Sequence, residues 1–178
     1  MRIVSIAQRP DLVEVVARWQ FDEWERLEPG ESLAGRIAGL TAQAADGDGV
    51  VATFVALDRD VPVGTASVVE QTDTVYRASP RQRDLTPWLA SVYVPPECRG
   101  RGIATALVHH AVAHVTRHGV ARFYLFTDGA RGLYERCGWR VLGVDAYGGR
   151  EMTIMAIDLR QLPQRDDEVV ERPALGML

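Results

Sequence analysis

The residues with the clearest chemical potential are Gly100 and Gly102. They follow the apolar run 88–94 and precede the stretch 103–115, in which apolar residues recur at helical spacing. This pattern predicts a strand, a tight turn and the N-terminus of a helix. The first N–H groups of a helix have no intrahelical partner, and the helix dipole adds partial positive charge there. The two glycines therefore predict a turn that can hold a phosphate through backbone N–H groups.

Other reactive side chains form no recognisable catalytic or metal motif. His110, His114 and His118 recur every fourth residue, which is metal-ligand spacing on a helix. They adjoin the apolar stripe of the predicted helix and have no carboxylate or thiol ligand nearby, so we predict no metal site. Cys98 and Cys137 lack metal-like spacing. We expect two reduced thiols, with Cys137 packed in the core.

The composition excludes several classes of function. The chain has 178 residues, a net charge of −4, and neither lysine nor asparagine. Without lysine there is no Schiff-base lysine and no Walker-type phosphate loop, which needs Gly-Lys-Ser/Thr. The negative charge argues against a broad nucleic-acid surface and favours cationic ligands. Since no apolar run has the length of a membrane span and no signal peptide is evident, we expect a cytoplasmic protein without membrane partners.

These residues must be positioned by strands and helices that the hydrophobic periodicity predicts. The predicted strands are 2–7, 50–57, 61–69, 88–94, 121–126, 140–144 and 152–159, and the predicted helices are 10–24, 31–44, 103–118 and 127–137. The order β–α–α–β–β–β–α–β–α–β–β indicates an α+β fold in which helices flank a mixed, mostly antiparallel sheet. Only the strands on either side of the glycine-turn helix should run parallel.

The domain organisation is simple. Residues 1–159 are predicted to form one domain, and the polar tail 160–178 is expected to be weakly ordered or to pack on a partner. The segment 71–84 is long for a plain connector and is the predicted substrate-facing loop.

Two motifs resemble those of the GNAT superfamily of N-acetyltransferases. Arg99-x-x-Gly102-x-Ala104 matches the Q/R-x-x-G-x-G/A signature, and a strand ending in Val-x-Pro precedes it. The segment 133–139, Leu-Tyr-Glu-Arg-Cys-Gly-Trp, resembles the family's LYEKxGF segment. Two motifs about 30 residues apart in the family's order of elements make this a specific match. The resemblance covers about residues 2–159 and implies a GNAT-like fold.

The resemblance also implies acetyl-CoA as the co-substrate. It assigns the pyrophosphate to the backbone amides of Arg99, Gly100, Arg101, Gly102, Ile103, Ala104 and Thr105, with a hydroxyl available from Thr105. It assigns the pantetheine arm to the backbone of Val92, Tyr93 and Val94, where the family separates its two central strands. The family often has an asparagine after the fifth strand, and Thr127-Asp128 occupies that place here.

Acetyl transfer to an amine needs a neutral amine, a stabilised oxyanion and a proton for the departing thiolate. Tyr134 in the second motif is the predicted general acid, because a phenol stays protonated at neutral pH. Backbone N–H groups near 92–94 could stabilise the oxyanion. Glu70, at the end of the third strand, is the predicted base, acting through a water molecule. Asp73 and Asp84 in the following loop are alternatives, and a solvated surface carboxylate is the ordinary fate of all three.

The sequence leaves the acceptor and the partners open. Glu23, in the first predicted helix, and Glu25, directly after it, could line an amine pocket, and the acidic residues favour a small, cationic amine. A homodimer is compatible with the sequence. A non-catalytic acyl-CoA-binding sensor or interaction module is the alternative function. A dinucleotide-binding oxidoreductase is disfavoured, because Gly100-x-Gly102-x-x-Thr105 lacks the third glycine of G-x-G-x-x-G.

Overall fold

The computed structural model describes residues 1–24, 30–47, 49–70, 84–147 and 150–161. Its strands are β1 (Arg2–Ser5), β2 (Ala52–Asp58), β3 (Val61–Val69), β4 (Trp88–Tyr93), β5 (Arg122–Thr127), β6 (Arg140–Tyr147) and β7 (Arg150–Asp158). Its α-helices are α1 (Val13–Trp24), α2 (Leu33–Asp46), α3 (Ile103–Arg117) and α4 (Arg131–Arg136). Short 3₁₀ turns at Pro10–Leu12, Pro96–Cys98 and Leu159–Gln161 precede α1, precede the glycine turn and follow β7.

The predicted order of elements and the predicted strand directions are confirmed. The described strands form one sheet in the order β1-β2-β3-β4-β5-β7-β6. Its neighbours run antiparallel except for β4 and β5, which are parallel. The exception follows from the connection, because a parallel pair needs a crossover and α3 provides it. Boundaries moved by a few residues: α4 begins at Arg131 rather than at 127, and β6 extends to Tyr147.

Helices cover both faces of the sheet, as alternation along β2 shows. Phe54 and Ala56 belong to the core cluster that includes α3, whereas Val55 and Leu57 belong to the cluster formed with α1 and α2. Because successive side chains of a strand point to opposite faces, a strand covered on both sides is apolar throughout. This explains the unbroken apolar run of β2.

The sheet opens between its two parallel strands. Among the described residues, β4 pairs with β5 only where Trp88 lies opposite Tyr124, whereas β5 pairs with β7 along its whole length, from Arg122 to Thr127. Beyond Trp88, β4 and β5 border a cavity instead of each other. The sheet therefore carries a cleft at the C-terminal ends of these strands.

The histidines spaced every fourth residue pack in or beside the core. His114 is buried, and its Nε2 lies 3.1 Å from the carbonyl oxygen of Gly49 and 3.2 Å from that of Val50. The His110 ring packs edge-on against Phe54. The described part of the chain contains no cluster of His, Cys, Asp or Glu that could hold a metal ion. Cys98 and Cys137 are both free thiols.

Two further expectations have only partial structural counterparts. The predicted loop 71–84 lies outside the described residues except for Asp84, and so does the tail from 162 onward. In the described part of the chain, no helix is long and apolar enough to cross a membrane.

Candidate active site

The glycine turn has the geometry that an anion site requires. Gly100 and Gly102 have φ values of +74° and +76°, in the left-handed region that favours glycine. A Cβ built at either glycine would meet no described atom within 4 Å, so the requirement is for backbone conformation rather than for space. Gly102 is the N-cap of α3, and no described side chain caps this helix. Its first N–H groups are therefore available to a phosphate.

The arginines of the turn bind the protein itself. Nε of Arg99 donates to the carbonyl oxygen of Val94 at 2.9 Å, which closes the turn onto the end of β4. Arg101 lies 2.6 Å from Oδ2 of Asp58 in an ion pair that ties the turn to the β2–β3 hairpin. The hydrogen bond from Arg101 lowers the pKa of Asp58. Asp58 could not be identified from the sequence, because nothing in a local motif shows which residue of a distant hairpin lies beside it.

A bulge shapes β4 beside the turn. Thr65 of β3 lies opposite Tyr93 and Ser67 lies opposite Ala90, so β4 has one extra residue between the two pairs. Ser91 lies in this bulge with a φ of +52°, an uncommon conformation for a residue with a Cβ. Serine gives no sequence signal for such a bulge. The distortion interrupts the pairing of β4 with β3 at the point where β4 borders the cavity.

The cavity between β4 and β5 has a volume of about 320 Å³. Its walls come from the end of α1, from β4, from β5 and the loop after it, from α4 and from the start of β7. The lining residues are Glu23, Trp24, Leu89, Ala90, Ser91, Val92, Phe126, Thr127, Asp128, Ala130, Tyr134, Arg150 and Met152. The bulge of β4 and the predicted acid Tyr134 thus face one space.

Tyr134 lies at the buried end of this cavity. It is 8% exposed, and its ring lies edge-on to Trp139, with 6.2 Å between the ring centroids. Burial raises the pKa of Tyr134 to about 12, because the phenolate is poorly solvated there. The hydroxyl therefore holds its proton throughout the neutral range.

The predicted cofactor residues of β4 divide between the cavity and its support. Val92 lines the cavity. The ring of Tyr93 instead packs against Trp19 and Trp24 of α1, at centroid distances of 5.7 and 6.4 Å. Val94 is buried, and its carbonyl oxygen accepts the bond from Arg99.

Glu70, the predicted base, is not among the described residues of the cavity that Tyr134, the predicted acid, lines. Glu70 is exposed and follows Val69, which pairs with Trp88 at the N-terminal end of β4. The cleft opens at the other end of β4, so Glu70 is not among the described residues that line the cavity. Asp84 is exposed and likewise does not line it, and Asp73 lies outside the described residues. The placement gives no support to a role for Glu70 as the base.

Among the described residues, the carboxylates that line the cavity are Glu23 and Asp128. Glu23 was an expected pocket residue, and Glu25 lies outside the described residues. Asp128 forms a 2.8 Å ion pair with Arg150 of β7. The hydroxyl of Thr127 accepts from the backbone N–H of Ala130 at 3.0 Å and so shapes the turn before α4. The residues at the place of the family's usual asparagine are thus engaged within the protein.

Solved structures match this fold over most of both chains. An aminoglycoside 6'-N-acetyltransferase complexed with coenzyme A matches with a TM-score of 0.68 and 18% identity, over 93% of this chain and 100% of its own. A putative acetyltransferase from Salmonella typhimurium with its cofactor acetyl-CoA matches with a TM-score of 0.67 and 18% identity, over 94% of this chain and 98% of its own. A ribosomal-protein-alanine N-acetyltransferase from Brucella melitensis matches with a TM-score of 0.64 and 19% identity, over 89% of this chain and 99% of its own. At these identities the likeness shows a shared fold.

The sequence itself identifies the family. The pattern of the acetyltransferase (GNAT) family matches residues 11–139, a range that includes the glycine turn, β4 and Tyr134. No curated protein sequence matches the chain. The open, uncapped N-terminus of α3 and the cleft beside β4 fit acetyl-CoA, the co-substrate of this family. On the family match and this fold, the chain belongs to the GNAT family of acetyltransferases.

Proposed function

We propose that the protein is an acetyl-CoA-dependent N-acetyltransferase that acetylates a primary amine of a small, cationic acceptor. The observation that carries the proposal is the shared cavity, where the bulge of β4 and the hydroxyl-bearing Tyr134 approach one space from two sides. When bound, acetyl-CoA supplies an activated thioester, whose C–S bond is exchanged for a C–N bond to the amine. The protein's part is to orient the two substrates and to hold protons.

The glycine turn is the proposed phosphate site. The backbone N–H groups of residues 99–105 would hold the pyrophosphate, because the N-terminus of α3 has no described capping side chain. The arginine side chains of the turn bind Val94 and Asp58. We therefore assign the binding of the phosphates to the backbone, with the arginines as supports.

Tyr134 is the proposed general acid. Its raised pKa, caused by burial, keeps the proton on Oη at every physiological pH. A proton donor with a pKa above that of a thiol still gives its proton when a thiolate forms within hydrogen-bond reach, because the thiolate is poorly solvated in the same buried place. The negative charge that develops on the thioester carbonyl oxygen would be stabilised by the backbone N–H groups of Ser91 and Val92 in β4.

Charge balance at the cavity supports a cationic acceptor. The charged residues in the described lining are Glu23, Asp128 and Arg150, and the last two form an ion pair. The lining therefore carries one carboxylate without a counter-charge. We assign no base, since the exposed position of Glu23, Asp128 and Arg150 shows that the cavity reaches the surface, where an amine can lose its proton to water.

The test is release of the CoA thiol across a panel of amines, with the product identified by mass spectrometry. The panel holds aliphatic monoamines and diamines, amino sugars, amino acids and peptides with free N-termini. Formation of an amide together with stoichiometric thiol release supports the proposal. The proposal would be overturned in favour of the acyl-CoA-binding sensor if calorimetry showed tight binding of acetyl-CoA but no amine released the CoA thiol faster than hydrolysis does.

A further inference from the structure

The two ends of the cavity differ in their exposure to water. Tyr134 is nearly buried, whereas Glu23 at the C-terminal end of α1 is exposed. Both residues line the cavity. The reacting amine has to reach the buried end, and it has to be neutral there to attack a carbonyl carbon. A group that stays charged is better placed at the exposed end, where it keeps part of its hydration. The ends suit two different parts of one acceptor.

Glu23 is a carboxylate without a counter-charge among the described residues. It forms no ion pair with any residue that the structure describes, although Glu14 of the same helix lies 3.8 Å from Arg18. The only described cation lining the cavity is Arg150, which is already paired with Asp128. An incoming ammonium group therefore meets one available carboxylate and little opposing charge.

An indole lies next to this carboxylate. Trp24 lines the cavity with Glu23, is half-buried, and packs edge-on against Tyr93 at an interplanar angle of 76°. Trp19 packs on the same Tyr93. Tryptophan is the side chain that attracts cations most strongly through its ring, and a partly desolvated site increases that attraction. Rigid packing against Tyr93 lowers the entropy cost of binding there.

The described charges make the electrostatic potential around Tyr93 negative. The pKa of Tyr93 is raised by burial first and then by the nearby charges of Glu23, Glu97 and Asp22, with Arg99 acting in the opposite direction. Among the described residues, three carboxylates and one guanidinium thus act on the tyrosine hydroxyl. The same field favours a cation beside Trp24 and disfavours a carboxylate.

We propose, on the basis of the proposed function, that Glu23 and Trp24 form a subsite for a second, unreacted ammonium group of the acceptor. The acceptor class is then an amine with two cationic groups, of which a linear diamine is the simplest member. One amine reaches the buried end and is acetylated, while the other stays protonated against Glu23 and Trp24. An acceptor whose second group is a carboxylate binds poorly, because Arg150 is engaged with Asp128.

The test uses matched probes that share one reactive amine. These are 1,4-diaminobutane, 1-aminobutane and 4-aminobutanoate, compared by kcat/KM at saturating acetyl-CoA. We expect the wild type to prefer the diamine over the monoamine by about tenfold or more, and to use the amino acid least. In Glu23→Gln, which keeps the shape and removes the charge, the diamine preference should fall to within about twofold of unity. Glu14→Gln, the same change on an exposed face of α1, should keep the wild-type preference.

Each result decides the subsite separately from the enzyme. Equal use of diamine and monoamine by the wild type, or a diamine preference that survives Glu23→Gln, would overturn the subsite and leave the acetyltransferase standing. A loss of preference in Glu14→Gln would overturn it too, since the preference would then depend on the overall charge of α1 rather than on Glu23. If no diamine is acetylated, the subsite is wrong, and the remaining amines of the panel decide whether the proposed function holds.

Discussion

The two sides of the cleft are built from different parts of the chain. On the side proposed for acetyl-CoA, the residues of the glycine turn lie next to one another in sequence and present their backbone, while Arg99 and Arg101 bind the protein itself. On the side proposed for the acceptor, Glu23, Asp128 and Arg150 present side chains from three distant elements. A backbone site depends on local conformation, whereas a side-chain site depends on which elements meet.

This difference explains why one substrate is easier to identify than the other. The turn can be recognised wherever its glycines and its helix occur, and it fits the same phosphates each time. The surface proposed for the acceptor, formed by side chains from several elements, changes its shape and charge whenever one of those side chains changes. Substitutions on each side separate their contributions, and the largest effect belongs to Tyr134, the proposed acid between them.

The largest effect is expected for Tyr134→Phe. Removal of the hydroxyl leaves the ring and its packing on Trp139 in place and removes the proposed proton donor. We expect kcat to fall by about 100-fold or more, while the KM for acetyl-CoA stays within about threefold of the wild type. Steady-state thiol release measures both. Tyr124→Phe, a buried change on β5 that does not line the cavity, is the control. A Tyr134→Phe enzyme with wild-type kcat would remove Tyr134 as the acid.

The second effect concerns stability at alkaline pH. Burial raises the pKa of Tyr134 to about 12 in the folded protein, against about 10 in an unfolded chain. Stability from this group is therefore full below about pH 10 and is lost as the pH rises towards 12, by roughly 2–3 kcal/mol. Urea unfolding between pH 9 and 11 should show a steeper decline for the wild type than for Tyr134→Phe. Parallel curves for the two proteins would contradict the burial of this hydroxyl.

The third effect tests the acetyl-CoA side alone. In Gly102→Val a β-branched residue has to adopt a φ of +76°, which costs about 1–2 kcal/mol or distorts the turn. We expect the affinity for CoA to fall by about 5- to 30-fold in calorimetry, with an unaltered ratio of kcat/KM between amines. Gly39→Ala, on the surface of α2 with open space around it, should leave CoA binding as it is. An altered amine preference in Gly102→Val would show that the two sides are not independent.

The smallest effect is expected for Asp58→Asn. The ion pair with Arg101 is partly exposed, with 39% of the Asp58 side chain accessible, so its contribution is small and screened by salt. We expect the KM for acetyl-CoA to rise by no more than about threefold at low salt. At high salt the variant and the wild type should converge, which titration with NaCl at fixed pH would show. An increase that persists in high salt would assign the contact a structural rather than an electrostatic role.

Local patterns predicted most of the fold. The apolar run of β2 and the helical spacing of α3 reflect burial on both faces of the sheet, so their periodicity identified them. The ends of elements were less accurate, as at Arg131 and Tyr147, because capping and hairpin pairing depend on contacts with other segments. The bulge at Ser91 was not predictable, since a serine with positive φ is imposed by the pairing of β4 with β3.

The candidate site shows the same division. Tyr134 and the glycine turn belong to sequence motifs, and the structure places Tyr134 in the cavity and the turn at the start of α3. Glu70 was chosen because it ends a strand, and the direction in which the sheet opens leaves it outside. Trp24 and Arg150 carried no signal that distinguishes them from ordinary core or surface residues. Asp128 stood out by its place after the fifth strand, but nothing local showed that it pairs with Arg150.

The sequence by itself determined the glycine turn, the order of elements and the family, because each depends on patterns among neighbouring residues and the turn depends also on the conformations open to glycine. Only the tertiary structure decided which carboxylates face the cavity. That depends on the separation of β4 from β5 and on the approach of α1, α4 and β7 to the gap. Side chains far apart in sequence acquire a common electrostatic environment only when the elements that carry them pack together.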